Sequence, residues 1–203
     1  MKNNLMVIIK AMIFTALFSM PSLHISAQIP GVLGMDHIGF NVPDLNESVT
    51  FFTDVLGFHK VYEEGHLPLD EDAKKAFNIR QSAEITHIAM LQTGNGSNIE
   101  LFEYTSPERN MKRPMNDDIG WYHFAIYTTN MDESVAYLKA KKVRIIGTPI
   151  EHKSGPNAGL TGVYFETPWG LQIELVSYPN GLAYEKTNPQ YKLWSPKTTS
   201  IKK

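Results

Sequence analysis

The sequence predicts an α+β fold built from two copies of one strand–helix–strands module, and three observations predict it. Placing His37 on His123, an offset of 86 residues, aligns Asp44-Leu45-Asn46-Glu47-Ser48-Val49 with Asn130-Met131-Asp132-Glu133-Ser134-Val135 without a gap. The copies also close alike: Asn98-Ile99-Glu100-Leu101-Phe102-Glu103-Tyr104 matches Gln172-Ile173-Glu174-Leu175-Val176-Ser177-Tyr178, with Pro107 and Pro179 following. Finally, 203 residues that are 42% hydrophobic and 20% charged have the composition of an ordinary globular chain with a core to bury.

Each element follows in order. Residues 1–27 read as a secretory signal peptide: Lys2 and Lys10 flank an apolar start, Ala11 to Met20 is hydrophobic, and Ile25-Ser26-Ala27 offers small residues for cleavage before Gln28. The apolar run is shorter than the ~20 residues that span a bilayer, so export to the periplasm or outside the cell is expected, without stable membrane insertion. Cleavage removes Lys2 and Lys10 from the 19 basic side chains, leaving 17 against 21 acidic ones, a net charge of −4. Neither that charge nor a pI near 6.4 favours nucleic acid, and a small molecule is the expected partner. The absence of cysteine excludes disulfides, a thiolate nucleophile, a Cys-bound metal and a lipidated N-terminal cysteine.

The domain is expected over 34–180, with module one at about 34–107 and module two at about 120–180. Met35 to Val42 is a short β-type run that Pro43 and Asp44 break, and Leu45 to Leu56 carries apolar residues at helical spacing. Trp121 to Thr128 and Met131 to Ala140 repeat that strand and helix, with Lys139, Lys141 and Lys142 suited to a helix C-terminus. Gly94-Asn95-Gly96-Ser97 and Pro168-Trp169-Gly170 make the turns into the two closing strands. Between the halves of the first copy, Glu63 to Gln81 is a polar connection in which Asp70 to Phe77 can form a short amphipathic helix. The tail, 181–203, is expected to lay Tyr184, Tyr191 and Trp194 on the surface and to fray at its end.

Strand alternation puts His37 with Gly39 and Asn41, His123 with Ala125 and Tyr127, and Glu174 with Gln172 and Val176 on common faces. A histidine on the opening strand and a glutamate on the closing strand recur in both copies. A two-fold relation between modules would bring two imidazoles and two carboxylates together, a combination that a divalent cation neutralises. His37, Glu100, His123 and Glu174 are therefore the candidate metal ligands. Nitrogen and oxygen donors suit zinc, nickel, iron(II), manganese or cobalt. His24 leaves with the signal, His59, His66 and His152 fall where loops are expected, and His87, inside the strand Ile85 to Leu91, is expected in the core or supporting the ligands.

At these residues the chain resembles the vicinal-oxygen-chelate superfamily, which includes glyoxalase I, methylmalonyl-CoA epimerase, extradiol dioxygenases and the fosfomycin and bleomycin resistance proteins. The resemblance rests on Met35-Asp36-His37-Ile38 with the helix to Gly57-Phe58, Ile99-Glu100-Leu101, Tyr122-His123-Phe124-Ala125, and Thr167-Pro168-Trp169-Gly170-Leu171-Gln172-Ile173-Glu174-Leu175. It implies two βαβββ modules forming a curved mixed sheet around a metal-binding cleft. Likeness to glyoxalase I implies that all four candidates ligate the metal. Glu174 or Glu100 then doubles as the base, in isomerase or lyase chemistry through an enediolate of a substrate with vicinal oxygens. Likeness to the extradiol dioxygenases implies three ligands, His37, His123 and Glu174, holding iron(II), with Tyr164 as a site tyrosine; Glu100 then fills a position that oxygen or catecholate needs. The bleomycin-sequestering members imply a third reading, a cleft that binds a small molecule without chemistry, although such members usually lack the ligand set. Export argues for a diffusible substrate other than glutathione or coenzyme A thioesters, and Trp121, Tyr122, Phe124 and Trp169 hint at an apolar surface for it. The modules can pair within one chain or between two copies in a homodimer.

Overall fold

A computed structural model of the chain describes residues 29–198; the expected signal peptide lies outside them. Module one runs β1 (His37–Val42), α1 (Leu45–Thr50), β2 (His59–Glu64), α2 (Glu71–Ala76), β3 (Glu84–Gln92) and β4 (Asn98–Thr105). Module two repeats the plan with β5 (Phe124–Tyr127), α3 (Met131–Ala140), β6 (Arg144–Glu151), β7 (Thr161–Glu166) and β8 (Gln172–Ser177). Asp44 starts α1 because its carboxylate accepts from the Glu47 amide, and Asn130 starts α3 by accepting from the Glu133 amide. Beyond Thr50 the helix widens into a π turn, Phe51–Val55, and Gly57 ends it at φ +73°, a conformation that costs glycine little.

Each module folds into its own four-stranded sheet, ordered β1-β4-β3-β2 in the first and β5-β8-β7-β6 in the second. Opening and closing strands run parallel, β1 beside β4 and β5 beside β8, and the remaining pairs are antiparallel. The expected α+β class and paired modules are present. In place of one curved sheet around a cleft there are two open sheets, with β1 and β2 at the edges of the first and β5 and β6 at the edges of the second.

Alternation divides every strand between a packed and an open face. On the packed side Phe40, Val42, Ala89, Leu91, Ile99 and Leu101 meet Leu45 and Phe52 of the first helix, and Val163, Phe165, Ile173 and Leu175 meet Met131 and Leu138 of α3. These residues make one continuous cluster across both modules, bridged by Phe52 against Phe124 and by Phe51 and Phe52 against Trp169. Each large apolar side chain so buried contributes about 1.5–3 kcal/mol. The sequence reading misses β2, and with it the position of His59: His59–Glu64 is exposed along its whole length and shows no apolar alternation. Helix α2 forms within the expected stretch, capped by Asp70. The tail holds to module one, where the Trp194 ring lies over Gly96 and the Asn95 amide donates to the Pro196 carbonyl at 3.0 Å.

Candidate metal centre

The parallel pairing of opening and closing strands sets the first pair of ligand candidates. In the β1–β4 register Gly39 lies beside Glu100, so no side chain competes on the β1 side of that carboxylate. Glu100 Oε2 comes to 3.2 Å from His37 Nε2. The other ring nitrogen, Nδ1, is 2.8 Å from Asp36 Oδ1; in the neutral tautomer that donates there, Nε2 carries the lone pair a metal would take. The Asp36 hydrogen bond, with the charges of Glu100 and Asp36, raises the His37 pKa above its ordinary 6.5 against the opposing effect of burial.

The second pair repeats the first, with His123 Nε2 at 3.3 Å from Glu174 Oε2. Ala125 and Tyr164 flank Glu174 on the adjacent strands, and Gly162 leaves the space that its carboxylate occupies: a Cβ there would sit 2.9 Å from Oε1. The Tyr164 hydroxyl is 3.5 Å from His123 Nε2, and the Trp121 ring centre is 4.9 Å from that of His123. Burial first, and then the charge of Glu174, raises the Tyr164 pKa, so its phenol stays protonated at neutral pH. Tyr104 stands in the same relation to Glu100, raised by burial and then by that carboxylate.

The four candidates therefore form two His–Glu pairs. Of the two arrangements left open by the sequence, neither is decided: among the described residues no group of three or more His, Asp or Glu side chains is placed to share an ion. Strand register fixes each pair inside its own module, whereas convergence of the pairs depends on how modules are placed, which register does not decide.

The other histidines stay outside both pairs. His87 is exposed, 3.9 Å from Glu103, rather than in the core; a bulge between Ile85 and His87 turns it outward. His66 lies 3.5 Å from Glu84, and His59 and His152 are exposed. Of the four aromatic residues expected to offer an apolar surface, Phe124 and Trp169 pack against the core cluster, Trp121 lies beside His123 of the second pair, and the half-exposed Tyr122 stacks on Phe40. Sequence reasoning missed Tyr104, Gly162 and Gln172 as site residues. Extending the β5–β8 register puts Gln172 beside His123, and its buried Oε1 has no hydrogen-bond partner. That acceptor suits a hydroxyl of a bound molecule. Strand parity with Glu100 and Glu174 was the signal for Tyr104 and Gln172; nothing local marked Gly162.

Comparison with known proteins adds three findings. The profile of the Glyoxalase/Bleomycin resistance protein/Dioxygenase superfamily matches residues 34–175. A 2-epi-5-epi-valiolone epimerase of Actinomyces sp is 38% identical over 173 residues, covering 83% of this chain and 91% of that protein. Among solved structures, a glyoxalase family protein of Bacillus cereus is similar with a TM-score of 0.58 at 21% identity, over 72% of this chain and 94% of that one. The trypanothione-dependent glyoxalase I of Leishmania major aligns with a TM-score of 0.50 at 22% identity, over 77% and 94%. At such identities the structural likeness carries the fold alone.

Proposed function

Because the chain belongs to the glyoxalase/bleomycin resistance protein/dioxygenase superfamily, we propose that it is an exported, metal-dependent isomerase that epimerises a small hydroxy-ketone. The recurrence of one His–Glu pair in each module, at 3.2 and 3.3 Å, carries the reading. Each pair offers one imidazole nitrogen and one carboxylate oxygen, donors that fit a first-row divalent cation. Two pairs make a full set of four, so His37 and Glu100 of one copy would meet His123 and Glu174 of a second in a homodimer. The exposure of an outer strand on each ligand face supports this, while nearer the second pair Gln172 and Val176 of β8 are buried. Tyr62, in register with Met90 and through it with Glu100, is 50% exposed, and Ile150, in register with Gly162 and through it with Val176 on the Glu174 face, is 67% exposed.

When bound, the cation supplies Lewis-acid stabilisation of negative charge on two adjacent substrate oxygens. The chain supplies the proton chemistry. A glutamate carboxylate, Glu100 or Glu174, takes the proton from the carbon beside the ketone, and a proton returned to the opposite face inverts that centre. The C–H bond broken is remade, so no oxidant or second substrate is consumed. Tyr104 and Tyr164, held protonated beside the two carboxylates, donate hydrogen bonds to oxygen where charge develops. The epimerase at 38% identity supports the isomerase arm over the lyase arm.

A single experiment tests the reaction. Metal-loaded protein starting at Gln28, incubated with 2-epi-5-epi-valiolone or a related cyclic hydroxy-ketone in D2O, is expected to put deuterium on the carbon beside the ketone, with inversion visible by NMR. His37→Ala and Glu174→Ala are expected to lose both the bound metal and the exchange. Exchange absent from the metal-loaded protein across such substrates, uncharged or carrying a phosphoryl or carboxylate group, overturns the epimerase. Oxygen uptake with catechols by the iron(II)-loaded protein would instead favour the dioxygenase reading, for which Tyr164 beside His123 is the supporting observation.

A further inference from the structure

Beside the two pairs lies a pair of adjoining clefts whose charge is opposite to that of the whole chain. One, of about 540 Å³, is lined by Arg80, Arg109, Lys112 and Arg113 together with Trp121 and Trp169. Its neighbour, of about 430 Å³, shares Asn41, Arg80 and Arg109. Among the described residues no aspartate or glutamate lines either cleft, although the chain carries a net charge of −2. Clefts of this size hold small molecules.

The cations differ in what they already hold. Arg113 is paired with Glu166 at 3.0 Å. Arg109 donates from Nη1 to the Tyr104 carbonyl and from Nη2 to the Val42 carbonyl, each at 2.7 Å; neutral acceptors fix its position and leave its charge uncompensated. The side chains of Arg80 and Lys112 form no hydrogen bond or ion pair among the described residues. Arg80 reaches Glu108 only as the smallest contribution to a lowered carboxyl that the Ser82 hydroxyl chiefly holds down. Three positive charges thus face one concavity without an ion pair among the described residues, an arrangement that attracts an anion and suits the planar fork of arginine.

None of the ligand candidates lines either cleft, but the clefts reach toward them: Asn41 and Tyr104 lie four residues along β1 and β4 from His37 and Glu100 on the same strand faces, and the tilted Trp121 ring is 4.9 Å from that of His123. We propose that this cationic cleft binds an anionic group of the ligand, a phosphoryl or carboxylate, and so selects an anionic small molecule for the adjoining site. The orientation of the reacting end rests on the function proposed above; the anion site does not.

The test uses chelator-treated, metal-free protein starting at Gln28, so that it is independent of the metal. Inorganic phosphate and acetate are titrated separately while tryptophan emission is followed, because Trp121 and Trp169 line the cleft. Saturable binding by either anion is expected, weakened roughly tenfold or more in Arg80→Ala/Lys112→Ala and in Arg80→Glu, with Lys153→Ala as an unaffected surface control. Tighter phosphate assigns a phosphoryl group, and tighter acetate a carboxylate. Binding that persists in His37→Ala, which tests the metal separately, supports the anion site whatever becomes of the epimerase. No saturable binding of either anion, or equal binding by the wild type and both cleft variants, overturns the proposal.

Discussion

Glu174 owes its position to an atom that is missing. Gly162, on the next strand, has no Cβ, and a methyl there would lie 2.9 Å from Glu174 Oε1 and 3.4 Å from Leu160 Cδ2. The first contact is with the tip of a flexible side chain, and Gly162 does not occupy the left-handed region, so alanine threatens the carboxylate more than the fold. Gly162→Ala is therefore expected to change unfolding free energy by no more than about 1 kcal/mol, while metal affinity falls by roughly 10–100-fold, as for loss of other supporting contacts. Calorimetric metal titration beside urea unfolding measures both, and unaltered affinity would remove Gly162 from the site. At this scale the sequence was informative about ligands and silent about their surroundings. The His37–Glu100 and His123–Glu174 pairs were legible because the opening strands repeat at an offset of 86 and the closing strands at an offset of 74. The space left by Gly162 and the orphaned Gln172 acceptor were not, because each depends on a neighbouring strand.

Among elements, the same repeat carried the local rules. Asp44 and Asn130, equivalent in the alignment, cap equivalent helices, and the apolar positions between them pack as the spacing required. Strand β2 escaped because its sequence is polar and its residues are all exposed, so nothing alternates. The link between modules was equally silent, yet it is tied down electrostatically. Arg113 of that link and Arg144 of β6 both pair with Glu166 of β7. Burial pushes the Glu166 pKa up, but hydrogen bonds and charge from the two guanidinium groups outweigh it, and the carboxyl is held below its ordinary 4.5. A carboxylate whose folded pKa is depressed stabilises the protein above its unfolded pKa, and that contribution fades as pH falls through the folded value. Glu166→Gln is thus expected to cost about 1–2 kcal/mol at pH 7, moderated by the exposure of Arg144. The difference from wild type should shrink as pH drops below 4.5. Urea unfolding across that range checks it; a cost independent of pH would mean that shape, not charge, is what Glu166 contributes.

For the whole molecule, the question is where the two His–Glu pairs meet. Register explains why each pair forms inside its module, and the repeat made both modules legible, but neither constrains the placement of one ligand face against another. The described residues of one chain gather no three candidate ligands, while Tyr62 and Ile150 stand exposed on the two ligand faces. A closed two-fold dimer resolves both observations, since it pairs the first face of each copy with the second face of the other and builds two identical sites. Mixing variants distinguishes this from convergence within a chain. In a dimer of one His37→Ala copy with one Glu174→Ala copy, one shared site carries both lesions and the other carries neither. Random assortment makes about half of the dimers mixed, so about one quarter of wild-type sites should return. Metal content and deuterium exchange should both recover to that level after the two inactive variants are unfolded together and refolded, and neither should recover when each is refolded alone. If the co-refolded mixture stays as empty and inactive as its parents, each site belongs to a single chain, and the exposed faces must close on each other when the ion binds.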